Sequence, residues 1–193
     1  MPSLYGAVSD PYCYKGTTVL KNIPGLRFQV ELDAFEAIST AQRSDEPFPN
    51  GRLSVRHYRA IHRHLFQDVY AWAGRYRTLR ISKDGSAFCY PENIAGEMEK
   101  LFTGLRVRNH LRGLKAGAFA TQAAETLGTL NAIHPFREGN GRSQTTFLFL
   151  LAAQAAHPLN LDNLDRERFL AAMVASFTAS DRLLTGEIRK LMR

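Results

Sequence analysis

Thiols are scarce in this chain. Cys13 and Cys89 are the two cysteines among 193 residues, and their spacing fits neither a disulfide framework nor a cysteine metal site. Free thiols in a reducing compartment are therefore expected, which points to the cytoplasm and leaves export as an effector open. No apolar run is long enough to cross a bilayer, so no membrane partner is expected. Met1 to Asp10 lacks the basic-then-apolar pattern of a signal peptide. Internal repeats, low-complexity segments and runs of like charge are also missing. Their lack argues against solenoids, disordered tails and nucleic-acid-binding arms.

What remains is an ordinary globular composition, 45% hydrophobic and 22% charged. The formal charge of +7 and the sequence pI of about 9.7 favour anionic partners. The arginines are scattered through amphipathic segments, so nucleic acid is a poor candidate. The length suits one domain with a real core.

Turn formers dominate the start, in Ser9-Asp10-Pro11-Tyr12, Lys15-Gly16 and Pro24-Gly25. Residues 1–27 read as an irregular arm anchored by Tyr5, Tyr12 and Tyr14, with the folded domain over 28–193. A first helix fits Phe28 to Gln42, with Val30, Phe35 and Ile38 inward. Ser54 is a suitable N-cap for a second, running through Tyr58, Ile61, Leu65, Val69 and Trp72 to Gly74. It carries His57, His62 and His64, which fall on more than one face and have no evident further ligand, so structural or surface roles are expected. Short alternating runs at 76–82 and 87–90 flank Asp84-Gly85, a strong hairpin signal. Pro91 opens a third helix to about Asn109. Phe119 to Ile133 reads as a central buried helix, followed by another over 142–156. Asp165 and Asp181 introduce the last two. The expected fold is all-α, with one inserted β-hairpin.

Between the two buried helices lies His134-Pro135-Phe136-Arg137-Glu138-Gly139-Asn140-Gly141-Arg142, a polar loop where the core pattern predicts none. Gly139 and Gly141 permit close backbone approach to a ligand. The amides that follow begin a helix, where unpaired donors and the dipole favour an anion. Arg142 adds a bidentate fork for phosphate oxygens. Glu138 would repel phosphate, and a shared Mg²⁺ resolves that conflict. His134 stands beside the site as a base of near-neutral reference pKa, suited to activating a hydroxyl for in-line attack on phosphorus.

This run resembles the Fic motif, His-x-Phe-x-(Asp/Glu)-Gly-Asn-Gly-Arg-x-x-Arg. The likeness extends over nearly the whole chain, through Asp10-Pro11-Tyr12, through Leu65-Phe66-x-x-Val69-Tyr70-x-Trp72-Ala73-Gly74, and through the segment before Pro91. The resemblance implies a Fic-type helical domain with a hairpin flap, and transfer of AMP from ATP to a hydroxyl of a target protein. His134 would be the catalytic base and Glu138 the Mg²⁺ ligand. Asn131, Arg137, Gly139, Asn140, Gly141, Arg142 and Ser143 would line the nucleotide site, with Lys83 and Asp84. Lys83, Gly85, Ser86 and Phe88 would form the flap that holds the target segment.

Two departures from the family pattern matter. Thr145 occupies the place of the second motif arginine. The family's inhibitory motif, (Ser/Thr)-x-x-x-Glu-(Gly/Asn), is not found near either end of the chain. Control by a separate small antitoxin-like protein is one consequence; weak or altered activity is another. Gly141 stands where the Doc-like phosphotransferases resembling this motif carry lysine. Protein adenylyl transfer is therefore the leading expectation, ahead of phosphate or other nucleotidyl transfer on the same site and of a non-catalytic Fic module.

Overall fold

The computed structural model describes residues 10–83, 86–178 and 180–192. Seven α-helices appear among the described residues: α1 (Gln29–Ser44), α2 (Val55–Phe66), α3 (Pro91–Val107), α4 (Ala116–Ile133), α5 (Asn140–Gln154), α6 (Arg166–Thr178) and α7 (Arg182–Leu191). The alanine-rich α4 is the axis of the fold, with α3, α5, α6 and α7 packed around it. Its small residues Ala120, Ala123 and Ala124, all fully buried, let these neighbours approach closely. α2 lies against α1, α3 and α5 and so carries side chains from the core to the motif loop.

Local sequence chemistry accounts for several helix starts. The Ser54 hydroxyl accepts the His57 amide at the head of α2, Pro91 occupies the first turn of α3, and Asp165 accepts the Arg168 amide before α6. α2 stops at Phe66, earlier than the apolar pattern suggests. Val69 and Trp72 keep the spacing of buried residues while lying in a turn, whose amides at Val69 and Tyr70 return to the Phe66 carbonyl. α1 is rotated from the expected phase. Val30 and Ile38 are 75% and 60% exposed, whereas Leu32, Ser39 and Thr40 are buried. Apolar and alanine positions on both faces of α1 made its periodicity ambiguous, and the polar Thr40 is inward because Arg142 bonds to it.

The expected hairpin is the main correction: the domain is helical, and the inserted β-hairpin flap is not formed as an element of the fold. Backbone pairing there is confined to Ser82 with Ala87 and Lys83 with Ser86, plus the Phe88 amide on the Ile81 carbonyl at 3.2 Å. Beyond Ile81 and Phe88 the flanking runs do not pair with each other, because the end of α4 and the residues just after it take their donors. The Arg77 amide bonds to Pro135 O at 2.9 Å and the Cys89 amide to Ala132 O at 3.1 Å. Asp84 and Gly85, expected at the tip, and the anchor Tyr5 lie outside the described residues.

The arm at 10–27 runs without helix. It is tied down by a Cys13–Leu20 bridge, by the Ile23 amide on Val69 O at 2.8 Å, and by the edge of Tyr12 against Trp72. Cys13 and Cys89 are free thiols. No helix among the described residues is long and apolar enough to cross a membrane.

Candidate active site

His134 terminates α4 in the left-handed region, at φ 48° and ψ 61°. A non-glycine residue is uncommon there and needs surrounding contacts to hold it. Arg77 supplies them. Its side chain is 2% exposed, and the guanidinium donates to His134 O at 2.8 Å, to Ile133 O at 3.2 Å and to carbonyls of Leu79 and Cys89. A permanent cation thus caps the carbonyl end of the central helix, where the dipole favours positive charge. Phe88 stacks on the His134 ring, with centroids 3.9 Å apart and planes 21° apart, and meets Phe177 of α6 edge-on. The imidazole is therefore fixed through its backbone and across one face.

The next residues pin the loop from below. Phe136 is fully buried and stacks on Tyr58 of α2. Asn140 directs its whole side-chain amide at Phe136, accepting that residue's N–H at 3.0 Å and donating to its carbonyl at 2.8 Å. This makes Asn140 a clamp on the loop, with its side chain turned from solvent. Arg137 is likewise buried, paired with Asp10 at 2.6 Å, the two side chains 5% and 10% exposed. Through this pair the arm and the motif hold each other. Asn131, one turn before His134, donates to Met173 O at 2.9 Å and links α4 to α6.

His62 contributes more than its sequence setting suggested. The Gly74 amide donates to Nδ1 at 2.9 Å, so Nε2 carries the proton and donates to Glu138 O at 3.0 Å. Burial lowers its pKa to about 3, with Arg142 adding repulsion and the hydrogen bond to Glu138 opposing the shift. A neutral histidine thus fixes the backbone of the acidic motif residue. His57 and His64 bind backbone carbonyls at Pro49 and Arg43 instead.

Glu138 accepts the Gly139 amide at 2.8 Å. Burial raises its pKa and the nearby Glu36 carboxylate raises it further, against the pull of that amide, Arg142 and Arg137. Such a carboxylate is short of positive charge. Among the described residues no cluster of three or more His, Cys, Asp or Glu side chains could by itself hold a metal. One carboxylate with phosphate oxygens and water is, however, the donor set Mg²⁺ commonly takes, so Glu138 fits that ion together with a nucleotide.

Gly139 has φ 79°, and a Cβ there would lie 2.2 Å from the Phe66 ring, so only glycine allows α2 and the loop to meet. α5 then starts without a capping side chain. Ser143 is the first residue of that turn whose amide reaches a carbonyl, Gly139 O at 3.1 Å, and its hydroxyl takes the same oxygen. The start of α5 thus presents backbone donors between Glu138 and Arg142. Arg142 is 39% exposed and reaches α1, where it pairs with Glu36 and donates to Thr40 Oγ1 at 3.2 Å. Thr145 donates to Gly141 O within its own helix.

A family profile described as the Fic/DOC family matches residues 52–152. The chain belongs to that family. It is 48% identical over 189 residues to the probable protein adenylyltransferase y4lH of Sinorhizobium fredii, covering 97% of this chain and 98% of that one. Solved Fic structures share the fold. BepC of Bartonella tribocorum, a VirB-translocated effector with bound AMPPNP, has a TM-score of 0.82 and 26% identity over 93% of this chain and 95% of that one. The N-terminal Fic domain of a Bep effector from Bartonella quintana, with bound ADP, has a TM-score of 0.81 and 30% identity over 93% of each chain.

The Fic motif residues from His134 to Ser143 lie together at the junction of α4 and α5. From the segment expected to hold a target, Phe88 reaches His134, while Lys83 and Ser86 are placed only by their backbone pairing. Residues missed by sequence reading are Arg77, Glu36 and the site-facing role of His62. A buried arginine leaves no periodic signal, and Glu36 reads as an ordinary helix-surface acid. A cavity of about 740 Å³ lies at the other end of α2, lined by Arg52, Arg56, Arg106 and His110 among others. It contains none of the motif residues, which lie at the junction of α4 and α5.

Proposed function

We propose that the protein moves AMP from ATP to a hydroxyl side chain of a target protein. With 48% identity to y4lH along nearly the whole of both chains, it is an enzyme of the protein adenylyltransferase class. The observation that carries the detailed reading is the uncapped start of α5, set between the half-buried Glu138 and the reachable Arg142, with His134 at the end of α4. Nucleotides bound to the two Bartonella Fic structures support ATP as substrate.

In this reading the amides of Asn140, Gly141 and Arg142 receive phosphate oxygens, and Arg142 holds the phosphates beyond the α position. Glu138 would hold Mg²⁺, which when bound offsets the negative charge of the phosphates. An imidazole nitrogen of His134 takes the proton of the target hydroxyl as its oxygen attacks the α-phosphorus. The new oxygen–phosphorus bond forms as the bond between the α-phosphorus and the bridging oxygen breaks, and pyrophosphate leaves. Phe88, stacked on the imidazole, keeps the ring in place.

The test uses ATP labelled at the α- or the γ-phosphate, with Mg²⁺ and a lysate of the host, for wild type and His134→Ala. Histidine-dependent α label on a protein band is expected. Label from the γ position would instead indicate phosphotransfer, and no histidine-dependent label with any nucleotide would remove the enzymatic reading.

A small antitoxin-like partner would find an apolar surface on α1, where Val30 and Ile38, with Phe28 just before the helix, are exposed. Charged substitutions at Val30 and Ile38 should abolish inhibition by such a protein while activity persists; unchanged inhibition would exclude this face.

A further inference from the structure

Arg142 sits in a made-to-fit seat. Its guanidinium carbon lies 4.6 Å from the centroid of the Phe66 ring, which sets the plane of the group. Nη2 donates to Glu36 Oε1 and Nη1 to Thr40 Oγ1, so α1 engages both terminal nitrogens. Glu36 is itself fixed, because the Tyr70 hydroxyl donates to its other oxygen, and Tyr70 stacks on Trp72 with centroids 4.4 Å apart. Thr40 is buried and bonds to Glu36 O at 2.8 Å. The Nε–H of Arg142 is left without a partner among the described residues. The far end of the fork is held by α1 while the Nε–H stays available to an incoming oxygen.

Thr145 makes this seat consequential. Where the motif has its second arginine, this chain has a hydroxyl bonded to its own helix. The phosphates beyond the α position then depend on one motif arginine. A free arginine loses rotamer entropy when it closes on a ligand, and a pre-positioned one loses less.

We infer that Glu36, with Thr40, is a positioning residue for Arg142, holding its guanidinium in the orientation that receives the nucleotide's phosphates. This rests on the reading that Arg142 meets those phosphates. Glu36 belongs to α1, outside the motif and outside the region matched by the family profile.

The experiment is calorimetric titration of ATP with Mg²⁺ into the full chain, for wild type, Glu36→Ala, Glu36→Gln, Arg142→Ala and the Glu36→Ala/Arg142→Ala pair. Glu36→Ala should weaken binding about tenfold, with Glu36→Gln recovering part of it, and should add nothing once Arg142 is gone. In α-label transfer, Glu36→Ala should raise KM for ATP more than it lowers kcat. Unchanged or tighter binding by Glu36→Ala overturns the inference, since the carboxylate would then be idle or competing with phosphate. An equal loss with and without Arg142 overturns it too. Should Glu36→Ala not fold, Thr40→Val makes the same comparison through Nη1, and unchanged binding there is equally contrary. Failure of the underlying reading looks different: Arg142→Ala would then bind ATP as well as wild type.

Discussion

The two arginines of the motif loop, Arg137 and Arg142, are five positions apart and live in different physical worlds. Arg137 is sealed against Asp10 from the arm, and both side chains are nearly inaccessible. Arg142 pairs with Glu36 at a part-open edge, its side chain 39% exposed. A buried pair is costly to break because the survivor keeps an unscreened charge. An accessible pair exchanges readily with an incoming anion. The loop is therefore anchored through one arginine and reaches the solvent edge through the other.

Breaking the anchor should have the largest effect. Arg137→Ala or Asp10→Ala is expected to cost about 3–5 kcal/mol of stability, read as the shift in a urea denaturation midpoint. A loss below about 1 kcal/mol would mean the arm is not structural here.

The next effect is one of pH. His62 is neutral when folded, its pKa near 3, and ordinary when unfolded. Between about pH 6.5 and 3 the unfolded chain binds the extra proton, so this group's contribution to stability is whole above that window and falls as pH drops through it. The steepest slope is about 1.4 kcal/mol per pH unit. Denaturation measured across that range should flatten in His62→Gln, and an unchanged slope would assign the acid sensitivity elsewhere.

Arg142→Ala should reverse the pattern of Arg137. Stability should change by under about 1 kcal/mol, discounted for its exposure, while ATP affinity falls. Equal destabilisation by both arginine variants would erase the distinction between them. The smallest effect is expected at Thr145→Arg. Restoring a second cation beside Arg142 should raise α-label transfer a few-fold, roughly the worth of one exposed charge contact. No change, with nucleotide occupancy verified, would mean that Arg142 in its seat already suffices.

Much of this arrangement could be read from the sequence because it is local. Gly139 marked the close approach, Ser54 and Pro91 marked helix starts, and His134 to Arg142 spelled the family motif in one run. The parts that escaped are long-range. Arg77 binds the end of α4 from a distant segment, and its amide and that of Cys89, which a hairpin reading assigned to strand pairing, go to the carbonyls of Pro135 and Ala132. Glu36 meets Arg142 across 106 positions. The rotation of α1 follows from that meeting, since bringing Glu36 and Thr40 inward turns Val30 and Ile38 out. Alternation and periodicity report which residues are apolar, and they are silent on which polar groups find one another in the folded chain.

The most direct measurement is the release of pyrophosphate per modified target hydroxyl, taken for wild type and His134→Ala at matched nucleotide occupancy. One pyrophosphate for each modified hydroxyl in wild type, and none in His134→Ala despite retained ATP binding, is the predicted result. Release of orthophosphate in its place, or modification that proceeds unchanged without His134, would contradict the assignment of this loop as an adenylyl-transfer site with His134 as its base.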